Sequence, residues 1–118
     1  MNTRNVRAGM IVGLVVGFLG VLVCASTALA DAAEHVGEAI EHANEAVKHG
    51  KQGHTDLLVD HADGALRYAK EAQKLKQDEH LDEAIDELEA AVFQGKDGRT
   101  DMGVQHAEKA LEHLSAVK

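Results

Sequence analysis

The sequence contains one forty-residue segment twice, and this duplication limits the folds that the chain can adopt. Residues 34–73 and 79–118 align without a gap at an offset of 45, with 17 of 40 positions identical. In each copy, apolar residues recur every three or four positions along two segments that flank a glycine-containing turn. That period is typical of an amphipathic helix with one apolar stripe. Each copy is therefore predicted to be a helical hairpin.

Two such hairpins bury their stripes most simply as an up-down-up-down four-helix bundle, so we predict an all-α fold. The chain has no proline and only 3% aromatic residues, which leaves small aliphatic side chains to build the core. The bundle is expected over residues 31–118, with hairpin 1 at about 33–75 and hairpin 2 at about 78–118.

The expected helix ends follow from glycine and threonine positions. Gly50 and Gly95 are predicted to terminate the first and third helices. Thr55 and Thr100, each followed by aspartate, are predicted to cap the second and fourth helices. The connection at 76–78 has no glycine, so its boundary is the least defined.

The first thirty residues differ in composition from the rest. They contain Arg4 and Arg7 but no acidic residue, and no charge occurs from residue 9 to residue 30. A basic start, an apolar run and a final A-x-A triplet are typical of a secretory signal peptide, so we predict cleavage after Ala30 and no stable membrane association afterwards. The uncharged run is also about long enough to span a bilayer, which leaves an uncleaved anchor as the alternative.

Charge and cysteine content limit the partners. All 20 acidic residues follow residue 30, and the net charge of −8 argues against nucleic acid as a partner, because phosphate binding needs a basic surface. The single cysteine, Cys24, lies in the predicted signal segment. A mature domain without cysteine must hold any metal through imidazole, carboxylate, thioether or backbone groups.

Histidines recur every seven residues along the predicted helices. Seven residues are two helical turns, or about 10.5 Å, which is too far for two histidines of one helix to share an ion at bond lengths of about 2 Å. A second ligand must therefore come from the other helix of the hairpin. The seven-residue series has twelve positions, three along each predicted helix. Four of them hold residues other than histidine, namely Tyr68, Glu87, Gln94 and Arg99. The eight candidate ligands are His35, His42, His49, His54, His61, His80, His106 and His113.

Folding each hairpin about its turn places these positions at matched heights. The predicted pairs are His49/His54, His42/His61, His80/His113 and Glu87/His106. Each of these histidines lies beside the apolar stripe, so its ring is expected at the edge of the core, partly exposed.

Carboxylates lie one helical turn from several of these histidines. The candidate carboxylate ligands are Glu38, Glu45, Glu83 and Glu87. Imidazole and carboxylate without sulfur suit Cu(II), Ni(II), Zn(II) or Co(II), and the affinity series favours Cu(II). Lys109, between His106 and His113, works against a metal site on the fourth helix.

Several segments of the mature chain are similar to the small metal-binding protein family of bacteria. The segments are H-G-K-Q-G-H-T-D at 49–56, its copy Q-G-K-D-G-R-T-D at 94–101, E-H-A-N-E-A-V-K-H at 41–49 and Q-H-A-E-K-A-L-E-H at 105–113. The resemblance implies a periplasmic four-helix bundle that binds several copper or other divalent ions through its histidines, serves in copper handling or storage, and is not an enzyme. Because Gln94 and Arg99 replace histidines in the second turn, fewer sites are expected, concentrated in the first hairpin.

The leading functional hypothesis is a periplasmic protein that buffers, stores or scavenges copper and similar ions. Because a ligating imidazole must be neutral, binding is expected to weaken below about pH 6.5. The alternative is a helical interaction module or chaperone whose histidines act as pH-sensitive surface charge. The sequence has no nucleophile–base pair, phosphate loop or H-E-x-x-H motif, so no enzyme is predicted. No protein partner is indicated.

Overall fold

The computed structural model describes the backbone of residues 2–118 and the side chains of residues 27–118. Four helices follow one another: α1 (Asn2–Lys51), α2 (Thr55–Leu75), α3 (Glu79–Lys96) and α4 (Thr100–Ala116). Each helix packs against its neighbours in sequence, and α1 also packs against α4, which closes the bundle. The predicted all-α, up-down-up-down bundle is confirmed.

The predicted signal peptide and the alternative membrane anchor fall largely on residues 1–26, which lie outside the described side chains. Within the described residues, none of the helices has an apolar stretch long enough to cross a bilayer. Cleavage after Ala30 stays a prediction.

The core is built mostly from alanine. Twelve of the nineteen buried hydrophobic residues in the described part of the chain are alanines, and the fully buried larger side chains are Leu58, Leu81, Leu88 and Leu114. Small residues at the contacts allow helices to approach closely, because the distance between helix axes depends on the side chains packed between them. Side chains at the edges of neighbouring stripes therefore come within reach of one another.

Gly50 and Gly95 do not terminate α1 and α3, so that prediction is wrong. Each helix continues one residue further, and the left-handed conformation falls instead on Gly53 and Gly98, with φ of +83° and +77°. Gly50 and Gly95 are buried, and an added Cβ at either would overlap the side chain of Leu58. The absence of a Cβ atom at these two glycines is needed for close helix packing rather than for a turn.

The predicted threonine caps are also wrong. Helices α2 and α4 begin at Thr55 and Thr100 themselves, and the capping positions belong to His54 and Arg99, which form no side-chain cap. The two threonine hydroxyls instead share a hydrogen bond, with 2.6 Å between their Oγ1 atoms. This bond joins the starts of α2 and α4, so both hairpin turns lie at one end of the bundle, here called the turn end.

We expect Gly95→Ala to lower the free energy of unfolding by about 1–3 kcal/mol, the usual cost of overpacking a filled core. The added Cβ would lie 2.6 Å from Val59 Cγ2 and 2.9 Å from Leu58 Cδ2. Gly37→Ala is the matched control, because an added Cβ at this α1 position meets nothing within 4 Å. The control should gain up to about 1 kcal/mol from helix propensity. Urea unfolding measured by circular dichroism compares them, and equal effects would contradict the packing role.

Candidate metal-binding sites

The eight histidines lie where the apolar stripes meet solvent. Seven are half-buried, and His54, which directly precedes α2, is exposed. The packing explains this position, because each half-buried ring stands one residue before a member of the apolar stripe. The expected placement at the edge of the core is confirmed for those seven.

The bundle brings together the histidine pairs that the hairpin geometry predicted. Ring centroids are 5.6 Å apart for His42/His61, 6.0 Å for His49/His54 and 6.2 Å for His80/His113. Tyr68 faces His35 at 5.9 Å and also stacks on His42 at 5.5 Å. These pairings are geometric, and the role of the residues as metal ligands stays a prediction.

One group of candidate ligands, here called the first cluster, lies between α1 and α2 and consists of His42, Glu45, His49 and His61. The Nδ1 atoms of His42 and His61 are 3.3 Å apart. Two nitrogens that each lie about 2.0–2.1 Å from one tetrahedral ion are separated by about 3.3 Å, so this pair already has the spacing of a metal site.

The carboxylate of the first cluster comes from Glu45, one turn before His49 on α1. Its Oε2 lies 3.4 Å from His49 Nε2. The ligand atoms of Glu45, His49 and His61 all lie within 4.8 Å of one another. The first cluster thus contains two overlapping sets of candidate ligands, His42 with His61 and Glu45 with His49 and His61.

Sequence reasoning missed the contact between His49 and His61. Their rings stack nearly in parallel, 8° apart in orientation, with centroids 5.4 Å apart. The matched-height pairing assigns His61 to His42 alone, whereas the ring lies between two successive histidines of α1. The heptad spacing contains this possibility, but only the side-chain conformations decide it.

A second group, here called the second cluster, lies between α3 and α4 and consists of His80, Glu83 and His113. Glu83 Oε2 is 3.3 Å from His80 Nδ1 and 2.9 Å from His113 Nδ1, so one carboxylate oxygen faces both rings. The Asp78 side chain accepts a hydrogen bond from the His80 backbone N–H at 2.9 Å, which caps α3 and positions His80 in its first turn. This cluster lies at the opposite end of the bundle from the turn end.

Glu87 and His106 form a third, smaller arrangement. Glu87 Oε2 lies 2.6 Å from His106 Nδ1, and both side chains are about a quarter exposed. The pair corresponds, 45 residues on, to the His42/His61 pair of the first cluster. Ala90 and Gln94 stand where the first cluster has its carboxylate and its second α1 imidazole. Two ligands therefore remain, and groups of three occur only in the two clusters among the described residues.

The remaining candidates lie outside these groups. Glu38, expected to support His42, belongs to neither cluster. His35 faces Tyr68 rather than a second histidine, and its Nδ1 is buried without a hydrogen-bond partner. The Nδ1 atom of His49 is also buried and unpartnered. A buried ring nitrogen without a hydrogen-bond partner has lost its contact with water and gained none in the protein. Such a nitrogen is suited to be a metal ligand.

A shallow groove beside His42 is lined by Tyr68, Lys70, Glu71 and Lys74, among others. Lys74 Nζ lies 2.7 Å from Glu71 Oε1, and its hydrogen bond and charge hold the pKa of that carboxyl below its ordinary value. Glu71 lies outside the two groups of candidate ligands found among the described residues.

The fold and these groups define a class of protein, a small helical bundle whose hairpin grooves carry imidazole and carboxylate groups able to hold a metal ion. A model of the small metal-binding protein family matches residues 9–117, and the chain belongs to that family. This confirms the resemblance found in the sequence. No curated protein matches the chain.

Removal of the shared carboxylate should weaken the second cluster. We expect Glu83→Gln to lower the affinity of His80 and His113 for Zn(II) by about tenfold or more, since loss of a supporting group typically costs that much. Zinc titrations followed through the two imidazole NMR signals measure the change. Glu79→Gln is the matched control, because Glu79 is exposed in the same helical turn and lies outside both clusters. Equal affinities in the two variants would contradict the assignment.

Proposed function

We propose that the protein binds copper and other divalent ions in the periplasm and buffers, stores or scavenges them without catalysing a reaction. The observation that carries this proposal is the 3.3 Å separation of the His42 and His61 Nδ1 atoms, supplied by two different helices of a family member. The two nitrogens, which are within hydrogen-bonding distance of each other, have the spacing of two ligands of one tetrahedral ion.

The donor set supports Cu(II) as the preferred ion. Both clusters consist of imidazole nitrogen and carboxylate oxygen. For such ligands the affinity of divalent metals rises through Ni(II) to Cu(II) and falls again at Zn(II). Ni(II), Zn(II) and Co(II) fit the same groups with lower affinity.

The exposure of the ligands supports buffering or storage. In the second cluster the side chains of His80, Glu83 and His113 are 44%, 45% and 32% exposed, so water reaches the ligand atoms. Ions held by two or three such groups plus water exchange with solvent, whereas a structural metal site is closed by four protein ligands.

Location in the periplasm is supported by the N-terminal composition, with Arg4, Arg7, the uncharged run and the A-x-A triplet. N-terminal sequencing of the protein recovered from a periplasmic fraction should begin at Asp31. Recovery of a chain that begins at Met1 in the membrane fraction would favour the anchor instead.

Copper should raise the thermal stability of the folded protein by mass action. At a free Cu(II) concentration a hundredfold above the dissociation constant, one site contributes about 2.7 kcal/mol. The double variant His42→Ala/His61→Ala should lose part of the increase in Tm, because it removes the closest imidazole pair. Asn44→Ala, at an exposed α1 position outside the clusters, is the control and should keep the increase. An equal increase in both variants would argue against the cross-hairpin pair.

Acid should release the metal. Isothermal titration with Cu(II) should show saturable binding at pH 7.5 and much weaker binding at pH 5, because protons compete with the metal for imidazole nitrogen. Absence of saturable binding at pH 7.5 would refute the proposed function.

The alternative function, a helical interaction module, is favoured by the exposed apolar side chains of Leu57, Phe93 and Met102 in the helical turns nearest the turn end. It requires that acidification change the oligomeric state of the metal-free protein. Size-exclusion chromatography at pH 7.5 and 5, with a chelator present throughout, distinguishes it from metal binding.

A further inference from the structure

His61 is common to two ligand sets in the first cluster. Its Nδ1 lies 3.3 Å from His42 Nδ1, and its ring also stands within ligand distance of the Glu45/His49 pair. The ring centroids of His42 and His49 are almost equally far from that of His61, at 5.6 Å and 5.4 Å. The ring of His61 thus lies between two metal positions rather than within one.

The chemistry of imidazole limits how the two positions can be used. A neutral imidazole has one free lone pair, because its other nitrogen carries a proton. His61 can therefore serve as a neutral ligand to one ion at a time. Two divalent cations on either side of one ring would also repel each other, and Glu45 is the one carboxylate among the four residues of the cluster.

We propose that the first cluster holds a single ion in two overlapping positions that share His61 as a ligand. One position uses His42 and His61, and the other uses Glu45, His49 and His61. This inference rests on the proposed metal-binding function and specifies how it operates at this site. The capacity of the first hairpin is therefore lower than its number of histidine pairs suggests.

The shared ligand gives the ion a way to move without leaving the protein. An ion bound to His61 passes from one position to the other by exchanging His42 for His49 and Glu45. The row of rings then continues from His49 to His54 at 6.0 Å, and His54 is the one exposed histidine of the first hairpin. The row thus connects the interior of the hairpin groove to solvent at the turn end.

The test counts copper ions in a full-length background variant that lacks the histidines outside the first cluster, His35→Ala/His54→Ala/His80→Ala/His106→Ala/His113→Ala. After buffer exchange at pH 7.5, metal analysis and quantitative electron paramagnetic resonance (EPR) should give one Cu(II) per chain in the first cluster. Adding either His42→Ala or His49→Ala should leave one ion, with a different nitrogen hyperfine pattern in each case. Adding His61→Ala should weaken binding about tenfold or more. Asn44→Ala, at an exposed α1 position outside both clusters, should change nothing in the same background.

Two bound ions with a spin-coupled EPR signal, of which each single variant loses one, would overturn the proposal. So would unchanged affinity after His61→Ala. A measurement on the unsubstituted protein does not depend on whether the variants fold. In that protein, a spin-coupled EPR signal at copper saturation would overturn the proposal, and an EPR signal without coupling would support it. If the unsubstituted protein binds no Cu(II), the proposed function itself fails, and that result is distinct from binding two ions.

Discussion

The packing of Leu58 among three glycines is the interaction on which the turn end of the bundle depends. Its side chain, on α2, occupies the space that a Cβ would need at Gly50 of α1, Gly95 of α3 and Gly103 of α4. Together with Val104 at Gly50 and Val59 at Gly95, this side chain fills the space between the helices where both turns lie. Alanine contacts continue the close packing along the bundle. Since the histidines flank these contacts, the same packing sets the distances between their rings.

The duplication produces two similar hairpins, but the two clusters lie at opposite ends. The first hairpin keeps its ligands near the turn end, where the second has Ala90 and Gln94. At the other end the second hairpin keeps His113, whereas the first has Tyr68 at the corresponding position. The substitutions therefore separate the two groups of candidate ligands along the bundle.

The two clusters also differ in chemistry. The carboxylate of the second cluster, Glu83, lies between its two rings, whereas that of the first cluster, Glu45, contacts one ring, that of His49, and also the ammonium group of Lys48. The first cluster is richer in nitrogen, which favours Cu(II), and the second is more balanced between nitrogen and oxygen.

Much of the fold follows from the sequence because its signals are local and repeated. Helical period, two glycine-containing turns and a gap-free duplication require four amphipathic helices in two hairpins, and heptad spacing forces ligands to be shared across each hairpin. The errors concern groups whose role depends on neighbours distant in sequence. Thr55 is of a residue type that favours the helix N-cap, yet its hydroxyl forms a hydrogen bond with that of Thr100, 45 residues away in the other hairpin. Gly50 has the position of a terminator, yet it makes room for Leu58.

The sequence by itself determined the type of fold, the candidate ligands and the pairing of His42 with His61, since hydrophobic period and turn position set which residues stand at equal height. Only the tertiary structure decided that His61 also reaches His49 and Glu45. That contact depends on ring orientation and on the distance between closely packed helices, which no local pattern encodes.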